Sequence, residues 1–391
     1  MTRSPLRADC PVCGSEHLID TVRIARLPVF ANVLYDDPGS AKAVQTGVFN
    51  ARACPNCGHV FNADFDNDLV GYTQSYENAL TFSPRFRAFA DELVERLATT
   101  YDLAGKTLVD IGCGKGDFIK QLATRTGARG FGFDQAYEPD RDSQIPEGIS
   151  FSTEWFGPKH GDLKPDFISC RHVLEHIYEP RAFLADLARN PGVSPDTVFY
   201  FEVPNVMYTL RDMGIWDLIY EHVSYFSERS LDYVFRATGF EPIEIGESFG
   251  GQYLFIEARV TGQPAENVSP SDAVSDFGPC VHAFRERYAS KLTEWRGQLE
   301  TGADAVAVWG AGSKGISFVN VMEMAADGVR LVDINPHKRG KFAPMTGQPV
   351  VAPDDLQDAP PSTVFVMNAL YHDEIAVQLA GMGIIPTLID A

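Results

Sequence analysis

Leu108-Val109-Asp110-Ile111-Gly112-Cys113-Gly114-Lys115-Gly116 is the stretch on which the reading of this chain turns. An apolar run that suits a buried parallel strand meets three glycines at alternate positions, and a helical pattern follows. Glycines at that spacing let the backbone turn tightly and approach a ligand with no Cβ in the way. Downstream, Phe131-Gly132-Phe133-Asp134 closes the next strand with an acid. A carboxylate there can accept hydrogen bonds from a ribose diol.

The acid inside the first strand narrows the ligand. Loops that cradle a pyrophosphate keep the spacing G-x-G-x-x-G and face it with a helix N-terminus. Asp110 would repel a pyrophosphate and suits a cationic ammonium, and the ligand that best matches is S-adenosylmethionine. A dinucleotide site is the alternative. The stretch Phe167-Ile168-Ser169-Cys170-Arg171-His172-Val173-Leu174-Glu175-His176-Ile177 supplies a strand and the rim opposite the loop. D-x-G-C-G-x-G, a G-x-D strand end and H-V-L-E-H-I together resemble class I methyltransferases. That resemblance implies a Rossmann-like core with Asp110, Gly112, Gly114, Gly116, Asp134 and His172 around the cofactor.

Further strands are expected at 107–111, 130–134, 166–170 and 197–203, then an edge hairpin at 240–247 and 252–259. Phe86 to Leu97 carries apolar residues at helical spacing. Residues 261–276 (TGQPAENVSPSDAVSD) read as a polar linker, followed by a helix at about 279–300.

Upstream stand two copies of one knuckle, Cys10-Pro11-Val12-Cys13-Gly14 and Cys54-Pro55-Asn56-Cys57-Gly58. Two Cys-x-x-Cys turns complete a tetrahedral S₄ site, and zinc is the expected metal. Four thiolates leave no open position for substrate, so the zinc is expected to be structural, holding a module with little core of its own. Free thiols or a redox pair are the alternatives, although a redox pair needs no second copy.

A second loop lies far downstream in Val306-Ala307-Val308-Trp309-Gly310-Ala311-Gly312-Ser313-Lys314-Gly315, with Asp333 at the next strand end. By itself this is a dinucleotide fingerprint, and a purely structural duplicate of the first loop is the alternative. Between the two loops, Asp217-Leu218-Ile219-Tyr220-Glu221-His222-Val223-Ser224-Tyr225-Phe226-Ser227-Glu228 places a Glu-His pair in an aromatic frame. Imidazole suits general-base work near neutrality, and a helix cap with packed aromatics is the alternative.

The bulk numbers set limits. At 391 residues there is chain enough for two or three domains, and 33 Lys+Arg against 53 Asp+Glu give a net charge of −20. So acidic a surface disfavours general nucleic-acid binding. No apolar run reaches membrane length, and the N-terminus lacks the apolar region of a secretory signal. Seven cysteines are too few for a disulfide scaffold. A cytoplasmic protein with a small-molecule substrate is expected, and nothing in the sequence sets the oligomeric state.

The order of these parts resembles, along essentially the whole chain, the sugar C-methyltransferases that act on nucleotide-linked 4-keto deoxysugars. The segment E-H-x-S-Y-F-S carries the likeness, as do Asp333-Ile334-Asn335-Pro336-His337-Lys338-Arg339-Gly340-Lys341 and Asn368-Ala369-Leu370-Tyr371-His372-Asp373-Glu374-Ile375. The resemblance implies a zinc module at 1–62, a methyltransferase domain at 63–260 and a Rossmann-like substrate-binding domain at 261–391. It implies that His222 removes a proton beside a ketone, with Glu221 orienting it, and that Tyr76 and His176 face the sugar. Tyr220, Gly310, Gly312, Lys314 and Lys341 would hold the rest of the substrate. The chain departs from the family at Ile219, where a Tyr is common, and at Ala343-Pro344-Met345-Thr346-Gly347, where a P-G-T-like turn is usual. The remaining readings are a methyltransferase of this architecture acting on O, N or C of another small metabolite, a zinc-dependent binding scaffold, and an NAD oxidoreductase built on the second loop.

Overall fold

Three sheets, stitched together by long-range pairings, make up the molecule. The computed structural model describes residues 7–71, 77, 79–139, 145–263, 277–301, 305–324 and 328–391. The first strands are β1 (Ile19–Pro28), β2 (Thr46–Cys54) and β3 (His59–Asn62). Next come β4 (Thr107–Ile111), β5 (Arg129–Phe133), β6 (Ile149–Ser152), β7 (Phe167–Arg171) and β8 (Val198–Pro204). After them lie β9 (Ser224–Tyr225), β10 (Phe240–Ser248) and β11 (Tyr253–Val260). The C-terminal strands are β12 (Val306–Trp309), β13 (Val329–Val332), β14 (Val350–Val351), β15 (Thr363–Val366) and β16 (Thr387–Asp390).

The central sheet runs β10-β11-β8-β7-β4-β5-β6. Strands β4 to β8 are parallel, and the β10–β11 hairpin pairs antiparallel with β8 at one edge. The buried strands β4, β7 and β8 are nearly continuous apolar runs, as a sheet covered on both faces requires. The edge hairpin is where the sequence places it. Short β6 escapes the sequence pattern because three of its four residues are half-buried with no clean alternation. Helices α1 (Pro84–Thr100), α2 (Asp117–Thr126), α3 (Pro180–Ala188) and α4 (Glu228–Arg236) pack around this sheet.

The C-terminal sheet is wholly parallel, in the order β14-β13-β12-β15-β16. Helix α5 (Phe277–Thr301) leads into it, with α6 (Ser313–Val321) and α7 (His372–Gly381) beside it. Both doubly wound sheets reverse their winding beside the first strand, at β4/β7 and at β12/β15. Ligands of such sheets bind at that crevice, beyond the carboxyl ends of the strands. The two Gly-rich loops leave β4 and β12 at these two points.

The N-terminal sheet does not close on itself. Its order is β1-β2-β3-β9, so its last strand comes from residues 224–225. One apolar cluster joins Phe49 and Val60 to Trp216, Tyr220, Phe284 and Phe318, and another joins Cys54 and Cys57 to Ile111 and Phe201. Residue 62 therefore ends a sequence region without ending a packed unit.

Candidate functional site

The first loop is built for close approach. Gly112, Gly114 and Gly116 have φ of +68, +55 and +82, the left-handed region that side chains avoid, and Gly116 caps α2. The loop hangs on β5, because the Gly112 amide donates to the Phe133 carbonyl at 2.8 Å. Asp134 accepts from the Gly114 amide (2.8 Å) on one oxygen and from the Ala136 amide (2.7 Å) on the other. Each oxygen keeps one further lone pair, the pattern that a vicinal diol needs.

Asp110 stands one step back from where the sequence reading puts it. Its carboxylate is buried and accepts from the Ser169 hydroxyl at 2.6 Å, so it acts on the loop from beneath. Burial pushes it up to about 7, while Ser169 and Arg171 pull the other way.

The second loop repeats the design with one change. Gly310 has φ of +119, and a Cβ on Gly315 would meet the Gly310 carbonyl at 1.8 Å, so neither glycine can be replaced. Asp333 accepts from the Ala311 amide (3.0 Å) and the Asn335 amide (2.9 Å), as Asp134 does from its own loop. Here the buried Lys338 ammonium adds a third bond at 3.0 Å. One lone pair remains, too few for a bidentate diol.

A cavity of about 280 Å³ lies between the central and C-terminal sheets. Its floor carries His172, Glu175, His176 and His222, and its far wall carries Gly310, Gly312 and Lys314. The two histidine rings His176 and His222 meet edge to face with centroids 4.8 Å apart. Nδ1 of His176 lies 3.0 Å from the Glu221 carbonyl oxygen. A carbonyl only accepts, so that nitrogen carries the proton and Nε2 of the neutral ring is left as an acceptor.

Electrostatics divide the three histidines. Burial holds His222 well below the ordinary imidazole value, and His176 and His172 add to the effect. His176 is lowered too, chiefly by burial, with Glu175 opposing. Burial also works against charge on His172, but Glu175 and Glu202 outweigh it and lift the ring to about 9. His172 Nε2 lies 3.1 Å from Glu202 Oε1, and Nδ1 lies 3.6 Å from Glu175 Oε1. Its φ of +54 stores strain, on the order of 1–3 kcal/mol, beside the cavity. Two neutral imidazoles thus sit over an anion, Glu175, whose charge is balanced by an imidazolium. Glu175 is the residue that sequence reasoning left unassigned, and its signal was its place between the two histidines of H-V-L-E-H.

The far wall is bound to the central sheet. Lys314 donates to Gln252 Oε1 (2.8 Å), pairs with Asp217 (3.2 Å) and lies over the Tyr208 ring. Gln252 and Asn368 exchange two amide hydrogen bonds of 2.8 and 2.9 Å across the two units.

Three expectations need correction. Tyr220 does not reach the cavity: its ring stacks on Phe65 in the core and its hydroxyl accepts from the Asp66 amide at 2.9 Å. Lys341 points away, pairing with Asp36 on the surface at 2.7 Å. Glu221 is buried, and its Oε1 accepts from the Ala31 amide at 3.1 Å, with its backbone rather than its carboxylate facing His176. Tyr76 lies outside the described residues.

The four knuckle cysteines do converge. Their sulfurs all lie within 4.8 Å of one another, with Cys10–Cys57 at 3.6 Å and Cys13–Cys54 at 3.5 Å. Sulfurs about 2.3 Å from a tetrahedral ion stand about 3.8 Å apart, so the set fits such an ion. The knuckles close alike, Gly14 donating to the Cys10 carbonyl and Gly58 to that of Cys54.

This topology, with a glycine loop and a diol-ready acid at its switch point, defines an S-adenosylmethionine-dependent class I methyltransferase. Residues 83–245 match the family model of a methyltransferase domain, and residues 257–384 match that of the C-methyltransferase C-terminal domain. The chain is 24% identical over 392 residues to C-methyltransferase NovU of Streptomyces niveus, spanning 94% of this chain and 91% of that protein. It is also 26% identical over 133 residues to ubiquinone biosynthesis O-methyltransferase of Pasteurella multocida (strain Pm70), covering 30% of this chain and 52% of that one. Among solved structures, magnesium protoporphyrin IX methyltransferase (ChlM) from Synechocystis PCC 6803 with bound SAH aligns at 21% identity and a TM-score of 0.36, covering 45% of this chain and 84% of that one. Between them the two models span most of the chain, a methyltransferase domain followed by the C-methyltransferase C-terminal domain.

Proposed function

We propose that the protein transfers a methyl group from S-adenosylmethionine to carbon beside the ketone of a nucleotide-linked 4-keto deoxysugar. The observation that carries this reading is the cavity, which joins a neutral histidine pair at one end to a Gly-rich helix N-terminus at the other. Its volume of about 280 Å³ suits a sugar ring with part of its carrier. In this reading His222 takes the α-proton and the C–H electron pair passes into the enolate. The enolate carbon attacks the sulfonium methyl, and the S–C electron pair stays on sulfur. His176 Nε2 accepts from a hydroxyl of the sugar, and Tyr76, which the resemblance sets against the sugar, donates to the enolate oxygen. Lys314 and the amides of Gly312 to Lys314 at the helix N-terminus take the anionic carrier.

Asp134 and the first loop hold the cofactor, and zinc occupies the four-cysteine site as a structural ion. Residues 1–62, 63–260 and 261–391 are the corresponding units. The cysteines form no disulfide, which fits a reducing cytoplasm, and no helix among the described residues is long and apolar enough to cross a membrane.

A second reading, methylation of another small metabolite, draws on one observation. Lys314 and Lys338 already pair with Asp217 and Asp333, so a phosphate must compete with carboxylates for them. A mass-spectrometric screen of nucleotide-linked 4-ketosugars and neutral metabolites for a gain of one methyl group decides between the two. Methylation confined to neutral metabolites refutes the first.

A further inference from the structure

The segment that carries His222 is held from both sides by the N-terminal cysteine module. β3 begins two residues after Cys57, and β9 begins two residues after His222. The two strands pair antiparallel, Val60 opposite Tyr225 and Phe61 opposite Ser224, and the Asn62 amide donates to the Val223 carbonyl at 2.9 Å. Asn62 is itself fixed to β2, accepting from the Asn50 amide at 2.9 Å and donating to the Val48 carbonyl at 3.3 Å. Past β9, the His59 ring lies 4.8 Å from that of Phe226. Arg229 donates to the Asn56 backbone carbonyl at 2.7 Å, inside the second knuckle, and Nδ2 of the Asn56 side chain donates to Cys13 Sγ at 3.4 Å. Before His222, Glu221 and Tyr220 are held by the amides of Ala31 and Asp66.

Between Cys54, the last residue of β2, and β3 lies only the second knuckle, so an ion on the four sulfurs fixes the angle at which β3 leaves β2. A module this small depends on its metal for rigidity. The cofactor loop hangs on a different support, the Phe133 carbonyl and Asp134 of the central sheet.

We propose that the metal held by Cys10, Cys13, Cys54 and Cys57 positions His222 through the β3–β9 pair, so that metal loss disables proton abstraction while cofactor binding persists. This inference rests on the zinc and base assignments made above. Asn62 and Arg229 are then positioning residues that act on His222 through the backbone.

Hydrogen exchange read by mass spectrometry tests it on the full chain, zinc-loaded and chelator-stripped. On stripping, peptides covering 50–62 and 217–229 should exchange about 10-fold faster together, while those covering 107–116 and 129–134 keep their protection. S-adenosylmethionine affinity should stay within about threefold. Retained protection at 217–229, or a loss shared by the whole chain, overturns the inference. Arg229→Ala keeps all four sulfurs, and it should speed exchange at 223–226 with zinc still bound; unchanged exchange there also overturns it. Metal analysis of the intact chain and α-proton exchange by the loaded enzyme report separately on the two assignments beneath it. With zinc found bound and α-proton exchange observed, retained protection at 217–229 on stripping overturns this inference alone.

Discussion

Replacing Asp134 by Ala should strip the chain of most of its affinity for S-adenosylmethionine and leave the free protein standing. Asp134 uses one lone pair of each oxygen on the amides of Gly114 and Ala136. The two that remain can take both hydroxyls of a ribose. Hydrogen bonds to a charged acceptor contribute about 1.5–3 kcal/mol each, and near the lower end two of them amount to about 3–4 kcal/mol. At about 1.4 kcal/mol per decade, Kd should rise roughly 10²–10³-fold. The free protein loses two bonds at a partly exposed turn where water can replace them, so Tm should fall by only about 2–4 °C. Titration calorimetry with S-adenosylmethionine gives the affinity, and scanning calorimetry of the free chain gives the stability. Asp333→Ala is the matched control: it occupies the same place in the second loop, and cofactor affinity should not change. A Kd for Asp134→Ala within about threefold of the parent refutes the diol argument, as does an equal loss in Asp333→Ala.

Other expectations bear on the cavity. His222→Asn should slow methylation of a ketone substrate by about 10²–10⁴-fold with cofactor affinity unchanged, and α-proton exchange in D₂O that persists removes His222 as base. Because burial lowers both His222 and His176, the acid limb of kcat/KM should fall below pH 6.5, the ordinary imidazole value; a midpoint above 7 contradicts a neutral buried pair. Conversely, His172 is lifted to about 9 by Glu175 and Glu202. Its stabilising contribution is complete below about 6.5 and is lost as pH rises through about 9, so the Tm difference between the parent and His172→Gln should shrink over that interval. Lys314→Ala should raise KM for an anionic substrate about 10-fold or more, whereas Lys341→Ala, whose partner Asp36 is on the surface, should leave KM unchanged.

Local signals in the chain were enough for the two doubly wound units, because a glycine loop between an apolar strand and a helix is a contiguous pattern. Asp134 and the four cysteines were legible for the same reason: strand ends and knuckles lie within a few residues of their motif. Tyr220 and Lys341 were misplaced because adjacency to a motif says nothing about direction. Tyr220 turns under Gly47, where a Cβ would strike its ring, and Lys341 turns outward to Asp36. The charge states of His172, His176 and His222 were equally out of reach, since burial sets the last two and the carboxylates of Glu175 and Glu202 set the first.

By itself, then, the sequence determined the α/β class, the switch-point loops and the sulfur set, each written in short-range spacing. Tertiary structure alone decided that Asp333 is filled by Lys338 where Asp134 stays open, and that Glu175 lies against two neutral imidazoles. It alone joined residues 224–225 to a strand more than 160 positions earlier, placing the cysteine module behind the segment that carries His222. The physical reason is that direction and burial are set by packing: spacing puts Lys338 near Asp333 and Glu175 near His176 without saying where a side chain turns, and it says nothing of a strand paired from a distant segment.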